Sequence, residues 1–169
     1  ISKSKGDIIV TFPSDNEYLA QDIIKIINQL YLKDTFVVYG SRMIKNYKHT
    51  THLKKIYKNN YLLYWISKIG GLLISLLILV FYNKYISDPF TSLKAFRSET
   101  IKDIKNNFKG VDYDIYQIIQ LTKNRVYINE IEVNYFARSY KEGKKTNIIE
   151  GLKSLLVIFR SLFFNSKMN

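Results

Sequence analysis

The sequence predicts an α/β domain, with a mostly parallel sheet and flanking helices, on three observations. Two apolar runs, "DIIVTF" and "FVVYG", have the β-branched and aromatic composition of buried strands. The segment between them repeats its apolar residues at helical spacing, and a later run, "EIEVNY", alternates apolar and polar residues as a half-buried strand does. With 169 residues, 47% of them hydrophobic, the chain is about one domain in size and carries enough apolar side chains for a core.

Residues 7–12 form the first expected strand, continuous enough in its apolar character to be buried on both faces and therefore to need neighbours. For that reason the chain reads as the later part of something longer. Pro13, Ser14, Asp15 and Asn16 close the strand as a turn. Ala20, Ile23, Ile24, Ile27, Leu30 and Tyr31 then share one helical face, with Asp22, Lys25 and Gln29 opposite. The next strand lies in "TFVVYGSR"; strand, helix and strand together predict a right-handed crossover in a parallel sheet.

Residues 42–60 are polar and basic and predict a loop. His49 and His52 lie within it without a third ligand nearby and are expected to be solvated. The most apolar stretch, "IGGLLISLLILVFY" at 69–82, lies between Lys68 and Lys84 and falls short of the ~20 residues of a membrane span. A buried helix or one resting in a membrane interface is expected, and residues 61–66 extend its apolar character towards a tilted or re-entrant segment of about 61–84. "YISDPFTSLKAFRSE" predicts a turn followed by a basic segment, and 112–123 another helix. The half-buried strand spans 130–135, with Ile131, Val133 and Tyr135 on one side and Glu130, Glu132 and Asn134 on the other. A loop, "YFARSYKEGKKT", separates it from a terminal helix whose broad stripe of Ile148, Ile149, Leu152, Leu155, Leu156, Phe159, Leu162 and Phe163 is flanked by Lys153 and Arg160. Residues 1–147 are thus expected to form the domain, and 148–169 an amphipathic helix suited to a membrane interface.

A chain without cysteine has no disulfide, thiol chemistry or cysteine-ligated zinc, and in the absence of a signal-peptide pattern this fits a cytoplasmic face. The net charge of +12 favours an anionic partner, although Lys, Asn, Ile and Tyr all use A/T-rich codons and part of the basicity follows from that. The cations are spread along the chain and no nucleic-acid motif is present, so no nucleic-acid partner is expected.

Four patterns, in this order, resemble the family 2 glycosyltransferases of the dolichol- or polyprenol-phosphate mannosyltransferase type. "GDIIVTFPSDNEYLAQDI" is similar to the segment where that family places an acidic metal motif after a strand, and "VVYGSR" to its next strand. "ISDPFTSLKAFR" is similar to its Asp-containing turn leading to a Lys and an Arg. "EIEVNYFARSYKEGKKTNIIEGLKSL" is similar to its late strand, Arg, Glu-Gly-Lys-Lys loop and following helix. The resemblance implies a partial GT-A nucleotide-sugar transferase domain, without its earlier nucleotide-binding portion. It further implies transfer from a nucleotide-sugar donor to a polyprenyl- or dolichyl-phosphate acceptor at the cytoplasmic face of a membrane. A soluble acceptor, or a basic membrane-surface protein without catalysis, remain the alternatives.

Expelling a diphosphate leaving group requires several negative oxygens to be neutralised, by a hard cation on carboxylates and by Arg and Lys donors. The resemblance implies a divalent cation, Mg2+ or Mn2+, at Asp15, with Glu17 as a second oxygen ligand. Pro13 stands where the family has its first motif acid, and Tyr116 where another acid is expected. Asp15 is otherwise a turn residue capping the next helix. Asp88, restricted by Pro89, is placed beside the acceptor as a base or as an orienting group, and is otherwise an Asx-type turn. A phosphate acceptor is already ionised, which makes orientation the more economical role. Arg138, Lys144 and Lys145, with Gly143 allowing closure, would shut over a diphosphate as a lid, or else form a solvated basic loop. Arg42, Lys94 and Arg97 are further candidates for the same anionic pocket.

Overall fold

Residues 4–44, 57, 61–102, 104, 110–138 and 148–163 are described by the structure, a computed structural model. In chain order the elements are β1 (Ile8–Thr11), α1 (Gln21–Leu30), β2 (Val37–Ser41) and α2 (Tyr61–Tyr82). They continue with β3 (Lys94–Arg97), the single turn α3 (Ser98–Ile101), α4 (Val111–Lys123), β4 (Ile128–Glu132) and α5 (Ile148–Phe163).

Alternation along the strands sends side chains to two apolar layers, one on each sheet face. Val37, Tyr39, Phe96 and Ile128 meet Ile115, Ile118 and Ile119 of α4 on one face. Val38 and Ala95 meet Ile26 and Leu30 of α1 on the other. Helices therefore flank the sheet on both sides, and the α/β expectation holds. Asn16 takes up a positive φ of 60° in the turn after β1, a conformation that asparagine tolerates better than most residues.

The sheet is mixed rather than mostly parallel. Its order is β1-β3-β2-β4; β3 pairs antiparallel with both β1 and β2, and only β2 and β4 pair in parallel. β1, β2 and β4 still run in one direction, so the expected strand–helix–strand unit exists with β3 inserted between its strands. The segment "LKAFR", expected as a basic stretch, supplies that central strand. Lys94 and Phe96 turn to the α4 face while Ala95 packs towards α1, so charges at the strand ends mask a buried period of two. β1, expected to be buried on both faces, lies at a sheet edge among the described residues, with Ile9 its one buried residue.

α2 begins at Tyr61, eight positions before the apolar run that predicts it, and its 22 residues make it about 33 Å long. By length and composition it is apolar enough to cross a membrane, and 22% of its most apolar window is buried. Ile74 and Ile78, one turn apart, enter the core, whereas Leu72, Leu73, Leu76 and Val80 are exposed. The terminal helix α5 packs on α4 and α2. Val157 and Ile158 join the core, the rings of Phe81 and Phe159 meet edge-on at 6.2 Å, and Lys123 Nζ donates to the Ser161 carbonyl at 3.1 Å.

Gly40 lets the chain beyond β4 pass close to β2. A Cβ there would stand 2.8 Å from Val133 Cγ1 and 3.3 Å from two Leu93 side-chain carbons. Gly40→Ala is expected to cost about 1–3 kcal/mol by overpacking, read as a lower urea midpoint at unchanged slope. An unchanged midpoint would show that Val133 and Leu93 give way freely.

Candidate active site

The carboxyl-terminal ends of β1, β2 and β4 open on one side of the sheet, where open α/β sheets bind ligands. Arg42 leaves β2 there and meets Asp88, which enters from the loop before β3. The guanidinium forks onto the carboxylate, Nε to Oδ2 at 2.6 Å and NH2 to Oδ1 at 2.7 Å, and the Arg42 backbone N–H donates to Oδ2 at 3.0 Å. Burial works against the charge on Arg42, yet the adjacent Asp88 carboxylate holds the guanidinium pKa well above its ordinary value. Asp88 is therefore an anion fixed in direction by three donors, an arrangement that suits orientation better than proton abstraction.

A second cluster joins the turn after β1 to the extended segment after β4. Arg138 donates from NH2 to Asp15 at 3.0 Å, from Nε to Glu17 at 3.3 Å and from its backbone N–H to the same Glu17 oxygen at 3.1 Å. The Tyr135 hydroxyl donates to the other Glu17 oxygen at 2.9 Å, and the Phe136 N–H to the Glu17 carbonyl at 2.8 Å. Asp15 Oδ1 accepts the Glu17 N–H at 3.1 Å, the hydrogen bond of an Asx turn. Asp15 is thus a turn residue as expected, but it does not cap α1, which begins at Gln21 with Ala20 as its N-cap and no side-chain cap.

Tyr135 connects the two clusters. The Arg42 guanidinium stacks 4.9 Å from its ring centroid, and Tyr18 packs edge-on against it at 5.2 Å. Burial raises the Tyr135 hydroxyl pKa, keeping it a neutral donor to Glu17. Tyr135 was legible only as an apolar strand position, because its hydroxyl partner lies 118 residues away. Glu130, legible only as the polar side of a half-buried strand, reaches the loop that carries Asp88. It accepts from the Ser87 N–H and hydroxyl at 2.8 Å each and from the Asp88 N–H at 3.1 Å. Burial nevertheless raises its carboxyl pKa, against the lowering effect of those hydrogen bonds.

Asp15, Glu17, Arg42, Asp88 and Arg138 are thus brought together, while two other candidates stand apart. Lys94 is buried beneath the α4 face, 2.6 Å from Asp114 and 4.7 Å from the Tyr39 ring centroid. Arg97 lies towards the opposite strand ends, donating to the carbonyls of Thr35 at 3.0 Å and Leu30 at 3.1 Å. Tyr116, where the resemblance leads one to expect an acid, is a core residue. Gly143, Lys144, Lys145, His49 and His52 lie outside the described residues.

The divalent cation implied by the resemblance does not fit Asp15 and Glu17 as they stand. Glu17 is buried with both oxygens engaged, and Asp15 already accepts from Arg138 and from the Glu17 N–H. Among the described residues no group of three metal-ligating side chains forms. The charge held by this carboxylate pair is a guanidinium.

Fold and site together define an α/β domain with arginine–carboxylate clusters at the carboxyl ends of its co-directional strands. No family model matches the chain. It is a distant homologue of a glycosyltransferase, being 28% identical over 150 residues to a UDP-N-acetylglucosamine–dolichyl-phosphate N-acetylglucosaminyltransferase of Methanococcus voltae, across 88% of this chain and 55% of that protein. It is also 24% identical over 162 residues to an uncharacterized protein of Methanocaldococcus jannaschii, across 95% of this chain and 62% of the other. The chain therefore spans 55–62% of the length of these curated relatives.

Proposed function

We propose that the chain is part of the catalytic domain of a glycosyltransferase that moves a sugar from a nucleotide-sugar donor to a polyprenyl- or dolichyl-phosphate acceptor at the cytoplasmic face of a membrane. The observation that carries this reading is the convergence of Asp15, Glu17, Arg42, Asp88 and Arg138 at the ligand-binding end of the sheet. The distant homology to a transferase named for a UDP-sugar and dolichyl phosphate supplies the chemistry to test.

In this reaction an acceptor phosphate oxygen bonds to the anomeric carbon as the bond to the nucleoside diphosphate breaks. The acceptor oxygen is already ionised, so Asp88 has no proton to remove and serves to orient the groups around it. Arg138, with its side chain 37% exposed, would exchange a carboxylate oxygen for a phosphate oxygen, neutralising charge where it develops. The exposed apolar side chains of α2, with Leu152, Leu156 and Phe159 of α5, would seat the domain against the lipid that carries the acceptor.

The test uses the gene product at its natural length in membranes, with radiolabelled UDP-N-acetylglucosamine and dolichyl phosphate. Label is expected in the organic phase, and Asp88→Asn is expected to lower its transfer by about 100-fold. No organic-phase label from this or any common nucleotide sugar would sink the reading. The exposed face of α2 equally favours a membrane-surface protein without catalysis, in which case vesicle binding would occur without transfer.

Membrane seating makes its own prediction. Leu72→Glu combined with Leu79→Glu places two charges on exposed positions of α2. Each leucine withdrawn from an apolar environment forfeits about 1.5–3 kcal/mol, so co-sedimentation with anionic vesicles should fall by more than about tenfold. Undiminished sedimentation would show that α2 does not enter the lipid.

A further inference from the structure

We infer that Glu130 is a positioning residue for the acceptor side of the site, acting through the Ser87–Asp88 backbone; this role rests on the proposed function. Three donors from one loop converge on its carboxylate: the Ser87 N–H, the Ser87 hydroxyl and the Asp88 N–H. The Ser87 hydroxyl also lies 2.7 Å from the Ser41 hydroxyl, tying the loop to the last residue of β2. Glu130 stands beside Tyr39 in the parallel pairing of β4 with β2, so its anchor belongs to a hydrogen-bonded strand of the sheet and not to a loop.

The consequence falls on Asp88. Its N–H is held by Glu130, its backbone conformation is restricted by Pro89, its carbonyl accepts from the Thr91 N–H at 3.2 Å, and its carboxylate is forked by Arg42. Arg42 fixes the carboxylate only if the backbone that carries it stays in place. Glu130 supplies the anchor on the backbone side, and small misplacements of an orienting group are costly in transfer reactions.

The experiment uses the natural-length protein in membranes. Initial rates are measured against UDP-N-acetylglucosamine and dolichyl phosphate for Glu130→Ala, Glu130→Gln and Ser87→Ala, with amide hydrogen exchange at Ser87 and Asp88. Glu130→Ala is expected to raise the acceptor KM or lower kcat by about tenfold, the size of a lost charge-assisted hydrogen bond, with donor KM within about twofold. The two amides should exchange faster. Glu130→Gln, which keeps one acceptor oxygen, should recover part of the loss. Ser87→Ala, which removes one donor and leaves the carboxylate in place, should shift the same parameter by less. If Glu130→Ala does not fold, the glutamine and Ser87 variants decide the matter. A folded variant set with unchanged acceptor kinetics, or with donor KM raised as much as acceptor KM, overturns this role alone. A wild type that transfers no sugar overturns the proposed function together with it.

Discussion

Arg42→Ala is expected to destabilise the protein by about 3–5 kcal/mol, because it leaves a carboxylate in the interior without its cation. The Asp88 side chain is 4% exposed and that of Arg42 18%, so water repays little of the loss. The substitution also removes the stack on Tyr135 and loosens the link between the two carboxylate–arginine clusters. Arg42→Lys keeps a charge but not the planar fork, and should recover about half of the cost. Urea unfolding measures both. Adding Asp88→Asn to Arg42→Ala should give a smaller total loss than the two single costs summed, as expected for groups in direct contact. An Arg42→Ala midpoint within about 0.5 kcal/mol of wild type would show that the pair is not formed in solution.

Arg138→Ala is expected to act on transfer more than on folding. Its pair with Asp15 is exposed and screened, and the buried Glu17 keeps the hydrogen bonds from the Tyr135 hydroxyl and the backbone N–H of residue 138, so the loss should cost about 1–3 kcal/mol of stability, less than at Arg42. Under the proposed function the same side chain meets phosphate oxygens as the donor bond breaks, and removing such a group typically lowers kcat by about 100- to 1000-fold. Arg138→Lys should restore charge without the two-pronged geometry and recover less than a tenth of the lost rate, on the order of the penalties seen where bidentate recognition is lost. Radiolabel transfer at saturating donor and acceptor checks both variants. Transfer by Arg138→Ala within about threefold of wild type would remove Arg138 from the reacting centre and leave it as a latch between the β1 turn and the β4 extension.

How much of the site was legible can be read residue by residue. Asp15, Glu17, Arg42, Asp88 and Arg138 were each marked in the sequence by a local pattern and by a resemblance in order and spacing. That Arg138 closes on Asp15 and Glu17, and Arg42 on Asp88, was not marked. Those pairs are separated by 123, 121 and 46 residues, and no local pattern encodes which cation finds which carboxylate. Lys94 and Arg97 carried the same signal as Arg42, yet the sheet spends them on Asp114 and on backbone carbonyls. Glu130 carried no signal at all, since an alternating strand assigns a polar position to solvent by default.

The same division holds for the fold. The sequence by itself determined β1, β2, β4 and the four longer helices near their observed places, because a period of two or of 3.6 is set by backbone geometry and is written in the order of side chains. Only the tertiary structure decided that β3 enters between β1 and β2 in the opposite sense, making the sheet mixed, and that the acidic pair after β1 holds an arginine. Strand neighbours and charge partners are chosen by packing across the whole chain, where burial and desolvation weigh every pairing against its rivals.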